Sequence, residues 1–266
     1  MPWQFPKNKL QTIVVSIIAL WSATAVVLLQ LPQLQTLRNK TQAPTASALQ
    51  KELKLEKLRL NLLEKVPAFG FDNLLSDWVF LNFLQYFGDN QVRSQTGYAL
   101  SPNYFQIIIE RDPRFLEAYL PLSTSISMYA AQPEQSVALM EKGLKSLSPQ
   151  TPDKSYYVWR YKGIDELLFL GDGQAAQQSF EKAAEWASTY SDQESQSIAA
   201  ISSQTAEFLK SNPESKAAQI SAWAMVLGNA TDQRTQQIAI SQIEALGGKV
   251  IITPEGELRL QLPATD

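Results

Sequence analysis

The sequence contains no cysteine and no histidine. Their absence excludes thiol nucleophiles, disulfides, zinc sites built from thiolate or imidazole, and the usual general base of hydrolases. No glycine-rich phosphate loop, nucleophile elbow or pair of catalytic carboxylates stands in their place. We therefore expect no catalytic residues, no cofactor and no metal site, in a protein that is not an enzyme.

An excess of basic charge is also missing. The chain of 266 residues has 23 Lys and Arg against 26 Asp and Glu, which gives a net charge of -3. A protein that binds nucleic acid normally clusters Lys and Arg on one face, so nucleic acid is not an expected partner. Hydrophobic residues make up 45% of the chain and charged residues 18%. This balance indicates folded structure with a substantial core.

One long stretch carries no charge. Residues 12–31, TIVVSIIALWSATAVVLLQL, are mostly apolar and have the length, about twenty residues, that a helix needs to cross a bilayer. They predict a single transmembrane helix. A cleaved signal peptide is the alternative, because Ala23-Thr24-Ala25 has the small-x-small form of a cleavage site. Against it, the apolar run continues through residues 26–29, where a mature N-terminus would turn polar.

The flanking charges predict the orientation of this helix. Lys7 and Lys9 lie close before it, whereas Arg38 and Lys40 follow at a distance. By the positive-inside rule, residues 1–11 form a cytoplasmic segment and the body of the protein is periplasmic or lumenal, at a plasma or thylakoid membrane. The opposite orientation stays open, because Lys51, Lys54, Lys57 and Arg59 of the next helix add positive charge on the far side.

A linker and an amphipathic helix come next. Residues 32–47 end in TQAPTAS, a Pro/Ala/Thr composition typical of a linker. Residues 48–66 place leucines at 49, 53, 60 and 63 and at 55, 58 and 62, between Lys and Glu. This spacing predicts an amphipathic helix that packs on the following domain. A self-associating coiled coil, and with it a homo-oligomer, is the alternative, although the heptad is not strict.

Residues 67–246 read as helices separated by regular breaks. Proline, glycine and Asx residues interrupt the helical patterns every 11 to 18 residues or so, which is the order of length expected for short antiparallel helices. Residues 247–266 differ, since KVIIT and ELRLQL flank Pro254-Glu255-Gly256 and predict a β-hairpin. The fold class is therefore all-α, with a small C-terminal hairpin.

An offset of forty residues aligns two helical hairpins of the chain. The matched positions alternate large and small side chains: Tyr119, Ser123, Ser136, Met140 and Gly143 in the first hairpin, and Trp159, Gly163, Ala176, Phe180 and Ala183 in the second. Antiparallel helices approach closely where small residues meet, while large residues fill the grooves between hairpins. The chain is therefore predicted to repeat one helical unit.

This pattern resembles the tetratricopeptide repeat, which carries aromatic and small residues on its first helix and an alanine-large-alanine run on its second. In both copies the turn is one residue longer than in that family. Asp112-Pro113 looks like an inter-repeat proline, so an earlier unit is expected over 73–112. The layout is similar to that of membrane-anchored bacterial repeat proteins, and the glutamine-rich composition suits a cyanobacterial chain. The resemblance implies a helical solenoid whose concave face binds a partner.

The segment 72–89, DNLLSDWVFLNFLQYFGD, is an unusually apolar stretch near the start of the domain. Ten of the fifteen residues from 73 to 87 are apolar or aromatic, and this stretch is shorter than the about twenty residues needed to cross a bilayer. We expect a helix that is buried on nearly all sides, with contact to lipid or to a membrane partner as the alternative. Candidate partner-binding residues here and on the repeat helices are Trp78, Phe83, Tyr86, Tyr119, Tyr156 and Arg160.

These observations predict a membrane-anchored scaffold or assembly factor. The anchor would raise the effective concentration of the repeat domain near membrane proteins without catalysis. If the chain is cyanobacterial, the expected partner is a photosynthetic complex in the thylakoid. The alternative is a component that recruits enzymes of envelope polysaccharide synthesis or of an export machine.

Overall fold

The computed structural model describes residues 45–229, 233–252 and 258–263, together with Ile17, Leu20, Trp21, Ser22 and Thr24. These five N-terminal residues are helical and exposed. The rest of the predicted transmembrane helix, 12–31, lies outside the described residues, as do the segment 1–11 and the linker up to residue 44. Within the part of the chain that the structure describes, no helix is both long enough and apolar enough to span a membrane.

The described chain is mostly helical, as predicted. It divides into two compact units, residues 1–52 and 53–266, and helix α1 contributes to both. The α-helices are α1 (Ala46–Lys65), α2 (Asp72–Gly88), α3 (Asn90–Thr96), α4 (Ser101–Arg111), α5 (Tyr119–Ser123), α6 (Pro133–Leu144), α7 (Tyr156–Asp165), α8 (Gly173–Ala187), α9 (Gln193–Ser211), α10 (Lys216–Asn229) and α11 (Gln233–Ala245). A single turn of 3-10 helix, Leu116–Ala118, precedes α5.

Aspartates fix the starts of three of these helices. The side chain of Asp89 accepts a hydrogen bond from Val92 N (3.2 Å) and begins α3. Asp172 accepts a hydrogen bond from Ala175 N (2.9 Å) at the start of α8, and Asp192 accepts one from Ser195 N (3.0 Å) at the start of α9. Each carboxylate satisfies an amide that the helix leaves unpaired, a contribution of about 1 kcal/mol.

The first helices of the two matched hairpins both end in a π-helix. Helix α5 continues as Thr124–Tyr129 and α7 continues as Glu166–Leu170. A π turn closes its hydrogen bond over one more residue than an α turn does. The first helices of both hairpins therefore widen in the same way before the turn.

The turns that follow the π-helices also match. Ala131 and Gly171, forty residues apart, both adopt the left-handed conformation, at φ 54° and φ 66°. The next amide then closes each turn on the carbonyl six residues back: Gln132 N to Ile126 O at 3.0 Å, and Asp172 N to Glu166 O at 2.9 Å. The internal repeat is therefore present in the backbone geometry as well as in the sequence.

Small and large residues pair in the core of the hairpins. A Cβ at Gly143 would overlap the hydroxyl and ring of Tyr119, and one at Gly163 would lie 3.2 Å from the ring of Phe180. The absence of a side chain at each glycine lets an aromatic ring lie directly on the facing backbone. These contacts explain why the matched positions alternate in size.

The segment 73–112, where a repeat was expected, contains more than one helical hairpin. The short helix α3 stands between α2 and α4, so the expected repeat over 73–112 contains three helices. Phe83 of α2 packs edge-on against Phe105 of α4, with ring centroids 4.5 Å apart, and Leu60 of α1 joins the same core. Tyr104 also donates a hydrogen bond to Glu56 Oε1 (2.6 Å), which fixes α1 on α4.

The predicted C-terminal hairpin is confirmed as a two-stranded antiparallel sheet. Strands β1 (Lys249–Ile252) and β2 (Leu258–Gln261) pair with Lys249 opposite Gln261 and Val250 opposite Leu260. Val250 packs on the cluster formed by α10 and α11, so the sheet closes that end of the helical core.

Candidate interaction surface

Helix α2 has two apolar faces, and only one of them is buried. Ser76, Val79, Phe83 and Tyr86 face the core. Leu74, Trp78, Leu81 and Leu84 are exposed, and Trp78 keeps 43% of its surface in solvent. The expectation that this helix is buried on nearly all sides is wrong, because no other element of the described chain covers its second face.

Helix α1 carries a parallel exposed stripe. Its leucines at 53, 60 and 63 turn towards the core, whereas Leu55, Leu58 and Leu62 are all more than half exposed. Their spacing of three and four residues places these three side chains on one side of the helix. The sequence pattern of two interleaved leucine sets therefore corresponds to one buried and one exposed face.

Arg59 joins the two stripes. Its guanidinium lies 4.8 Å from the centre of the Trp78 ring and donates a hydrogen bond to Asn82 Oδ1 (2.9 Å). Because Arg59 neighbours Leu55 and Leu62 along α1, the exposed leucines of α1 border the exposed side chains of α2. We call this combined surface the apolar face: Leu55, Leu58, Leu62, Leu74, Trp78, Leu81 and Leu84.

The loop between α1 and α2 adds two exposed aromatic residues. Phe69 and Phe71 are 86% and 65% exposed. Arg111 of α4 holds the ends of this loop, since its Nη2 donates to the carbonyls of Glu64 (2.9 Å) and Val66 (2.7 Å) and its Nη1 pairs with Asp72 (3.0 Å). The rings of Phe69 and Phe71 are therefore exposed on a loop whose ends are held by hydrogen bonds.

An exposed apolar surface of this extent is unusual on a monomeric protein. Each Leu, Phe or Trp side chain taken fully out of water contributes about 1.5–3 kcal/mol. A contiguous patch of such residues normally marks a protein or membrane interaction site.

Five of the six residues predicted to bind a partner are buried: Phe83, Tyr86, Tyr119, Tyr156 and Arg160. Tyr119 donates a hydrogen bond to the carbonyl of Pro113 (2.6 Å), and burial raises its pKa. Tyr86 accepts a hydrogen bond from Leu100 N (3.2 Å). Only Trp78 of the six belongs to the apolar face. A role of these residues in partner binding stays a prediction.

The two hairpins meet at a buried carboxylate. Asp165 has no exposed surface and accepts three hydroxyl hydrogen bonds: from Ser123 (2.6 Å), Ser127 (2.5 Å) and Ser136 (2.6 Å). Burial raises the pKa of this carboxyl to about 6, although the three hydroxyl groups act in the opposite direction. The serines come from α5, its π-helix and α6, so one side chain of α7 links every part of the preceding hairpin.

A second cluster of buried polar side chains lies beside Asp165. Lys162 pairs with Glu166 inside the fold, and Ser179 of α8 donates to Glu166 Oε2 at 2.6 Å. Lys162 also lies 3.4 Å from Glu141 of α6. Charged groups are tolerated in a core when they are paired and hydrogen-bonded in this way. These contacts connect α6, α7 and α8.

Sequence reasoning missed the Asp165 cluster, and it gave an exposed face of α2 only as the alternative to burial. Serines at 123 and 136 were identified only as small packing residues, and their hydroxyl groups were left without a role. A signal was available, because Asp165 stands in the packed first helix of the second hairpin and a buried carboxylate needs donors.

Comparisons with known proteins give no further guide. No protein-family model, no curated protein and no solved structure matches this chain.

Proposed function

We propose that the protein is a membrane-anchored helical scaffold that docks on a membrane protein through its apolar face. The single observation that carries the proposal is the exposed surface on α1 and α2, which a linker of sixteen residues, 32–47, separates from the predicted transmembrane segment. A partner with a complementary apolar surface would remove these side chains from water. The protein acts as an assembly factor for a membrane complex, without chemistry of its own.

The tetratricopeptide-like pattern and the predicted anchor support the same role. Helical hairpins stacked in series form extended binding surfaces, and an anchor confines such a surface to the bilayer, where encounter with membrane proteins is frequent. The cytoplasmic N-terminus, the periplasmic or lumenal domain and the photosynthetic partner stay predictions.

Affinity purification of the tagged full-length chain from detergent-solubilised membranes tests the proposal. The double variant Leu74→Gln/Leu81→Gln removes two side chains from the apolar face. The matched control is Leu120→Gln, since Leu120 is similarly exposed but lies on α5. We expect a defined membrane protein to co-purify with the wild type and the control and to be lost from the double variant.

Two outcomes would contradict this function. The chain could return alone under mild conditions, or the double variant could retain the same partner as the wild type. Co-purification of glycosyltransferases or secretion subunits would instead favour the recruiting role in the cell envelope.

A further inference from the structure

A groove of about 400 Å³ opens between α7, α8, α9 and α10. Leu167, Phe180 and Ala222 line it and are buried, whereas Ile201, Phe208 and Met225 also line it and are more than two-fifths exposed. Its volume lies within the range of small-molecule sites, roughly 300–1,000 Å³. None of these residues belongs to the apolar face, so the groove is a separate feature of the domain.

The groove contains one charged side chain. Arg160 of α7 lines it and is only 6% exposed. Its Nη1 donates to Ser202 Oγ of α9 at 2.8 Å. No carboxylate of the residues described by the structure lies within ion-pairing distance of this guanidinium. Burial lowers the pKa of Arg160, because an apolar environment disfavours the charged form.

Among the described residues, the printed hydrogen-bond partner of this guanidinium is the neutral Ser202, and a cation so placed in an apolar site favours an anionic ligand. Guanidinium groups pair with carboxylates through two parallel hydrogen bonds, and such bonds are about twice as strong as neutral ones. We propose that the groove binds an aliphatic carboxylate, whose head group pairs with Arg160 and whose hydrocarbon chain lies along Phe180, Ile201 and Phe208.

The lining favours a hydrocarbon chain over an extended peptide. The groove offers few polar side chains besides Arg160, namely Gln204, Thr205 and Ser221, and the hydroxyl of Ser221 already donates to the carbonyl of Ala217. A peptide would bury backbone amides that need partners along its whole length. An aliphatic chain has no such groups, so a single carboxylate head satisfies the polar requirement.

Binding of dodecanoate below its micellar concentration, measured by isothermal titration with the full-length chain, tests the proposal. The matched probes are 1-dodecanol, which keeps the chain and lacks the charge, and dodecyltrimethylammonium, which reverses the charge. We expect saturable one-site binding of dodecanoate, at least about tenfold tighter than that of either probe. Arg160→Met should abolish this preference, whereas Arg114→Met, which removes an exposed arginine outside the groove, should keep it.

A steric variant makes the test independent of the charge. Ser221→Trp places a large side chain at the exposed wall of the groove, and Ser203→Trp places the same side chain on an exposed position of α9 that does not line it. Binding should be lost in the first and retained in the second. Equal affinity for dodecanoate and dodecanol, or undiminished binding by Arg160→Met, would overturn the proposal. The docking role of the apolar face would stand in either case.

Discussion

The contribution of one buried carboxyl to the stability of the domain should fall as the pH rises from 4 to 7. Asp165 is fully buried, and its pKa is raised from an ordinary value of 3.8 to about 6. The folded state therefore holds this proton more tightly than the unfolded state does. The resulting stability is fully present below pH 3.8 and is lost as the pH rises through 6.

The size of the effect follows from the distance between the two pKa values. About two pH units at roughly 1.4 kcal/mol each give about 3 kcal/mol in total. Most of it, about 2 kcal/mol, falls between pH 4 and pH 7, since the transition is already under way at pH 4. For a domain whose total stability is on the order of 5–15 kcal/mol, this change is readily measured.

Urea unfolding of the wild type and of Asp165→Asn, at a series of pH values, isolates the contribution of this group. Asparagine has the same shape and no titration, so the difference in unfolding free energy between the two proteins reports Asp165 alone. We expect the wild type to lose about 2 kcal/mol relative to the variant between pH 4 and 7. Glu207→Gln, at an exposed position, should show no comparable trend.

A difference that does not change with pH would refute this reasoning. A difference that grows in favour of the wild type as the pH rises would show that the three serine hydroxyls outweigh burial. In that case the carboxylate, and not the acid, is the form that the fold stabilises.

Further predictions concern the turns, the core and the membrane. Gly171→Ala should lower the free energy of unfolding by about 1–2 kcal/mol, because Gly171 has a left-handed backbone conformation. Ala131→Gly, at the matching left-handed position, should be neutral or raise it by up to about 1 kcal/mol. Chemical denaturation measures both. Gly143→Ala should destabilise by about 1–3 kcal/mol, because its Cβ would overlap Tyr119, and an unchanged unfolding midpoint would contradict that packing. The full-length chain should stay in the membrane pellet after alkaline carbonate extraction, and its release would count against an anchor. The fluorescence of a variant that retains only Trp78 should be quenched by soluble acrylamide in the purified protein, and a shielded signal would contradict the exposed face.

Much of the helical layout was predictable from local signals. Pro67 and Gly70 separate α1 from α2, Asp112-Pro113 follows α4, and Gly171-Asp172-Gly173 separates the two helices of the second hairpin. Prolines lack the amide that a helix needs, and glycines adopt the left-handed turns that end it. Such breaks depend on single residues, so they can be read without knowing the tertiary contacts.

The size alternation at a forty-residue offset was equally informative. Tyr119 and Gly143 were matched with Trp159 and Ala183 by sequence alone, and the structure shows Tyr119 lying on Gly143. Close packing allows few combinations of side-chain volume at such a contact. The short helix α3 had no comparable signal, and the expected hairpin over 73–112 missed it.

The faces of α1 and α2 could not be assigned from the sequence. Leu74, Trp78 and Leu81 are as apolar as Val79 and Phe83 on the same helix, and periodicity cannot tell which of two apolar faces is covered. That choice depends on the neighbouring elements, α1 and α4. The hydroxyl cluster around Asp165 was missed for a similar reason, since its three serines lie 29 to 42 residues before Asp165 and meet it only in the folded domain.

Photocrosslinking in native membranes tests the docking role most directly. A photoreactive amino acid placed at position 81, on the apolar face, should give a crosslink to one defined membrane protein, whereas the same amino acid at position 120 should give none. Crosslinks from position 81 to lipid alone, or identical patterns from positions 81 and 120, would contradict a protein-docking role for this surface.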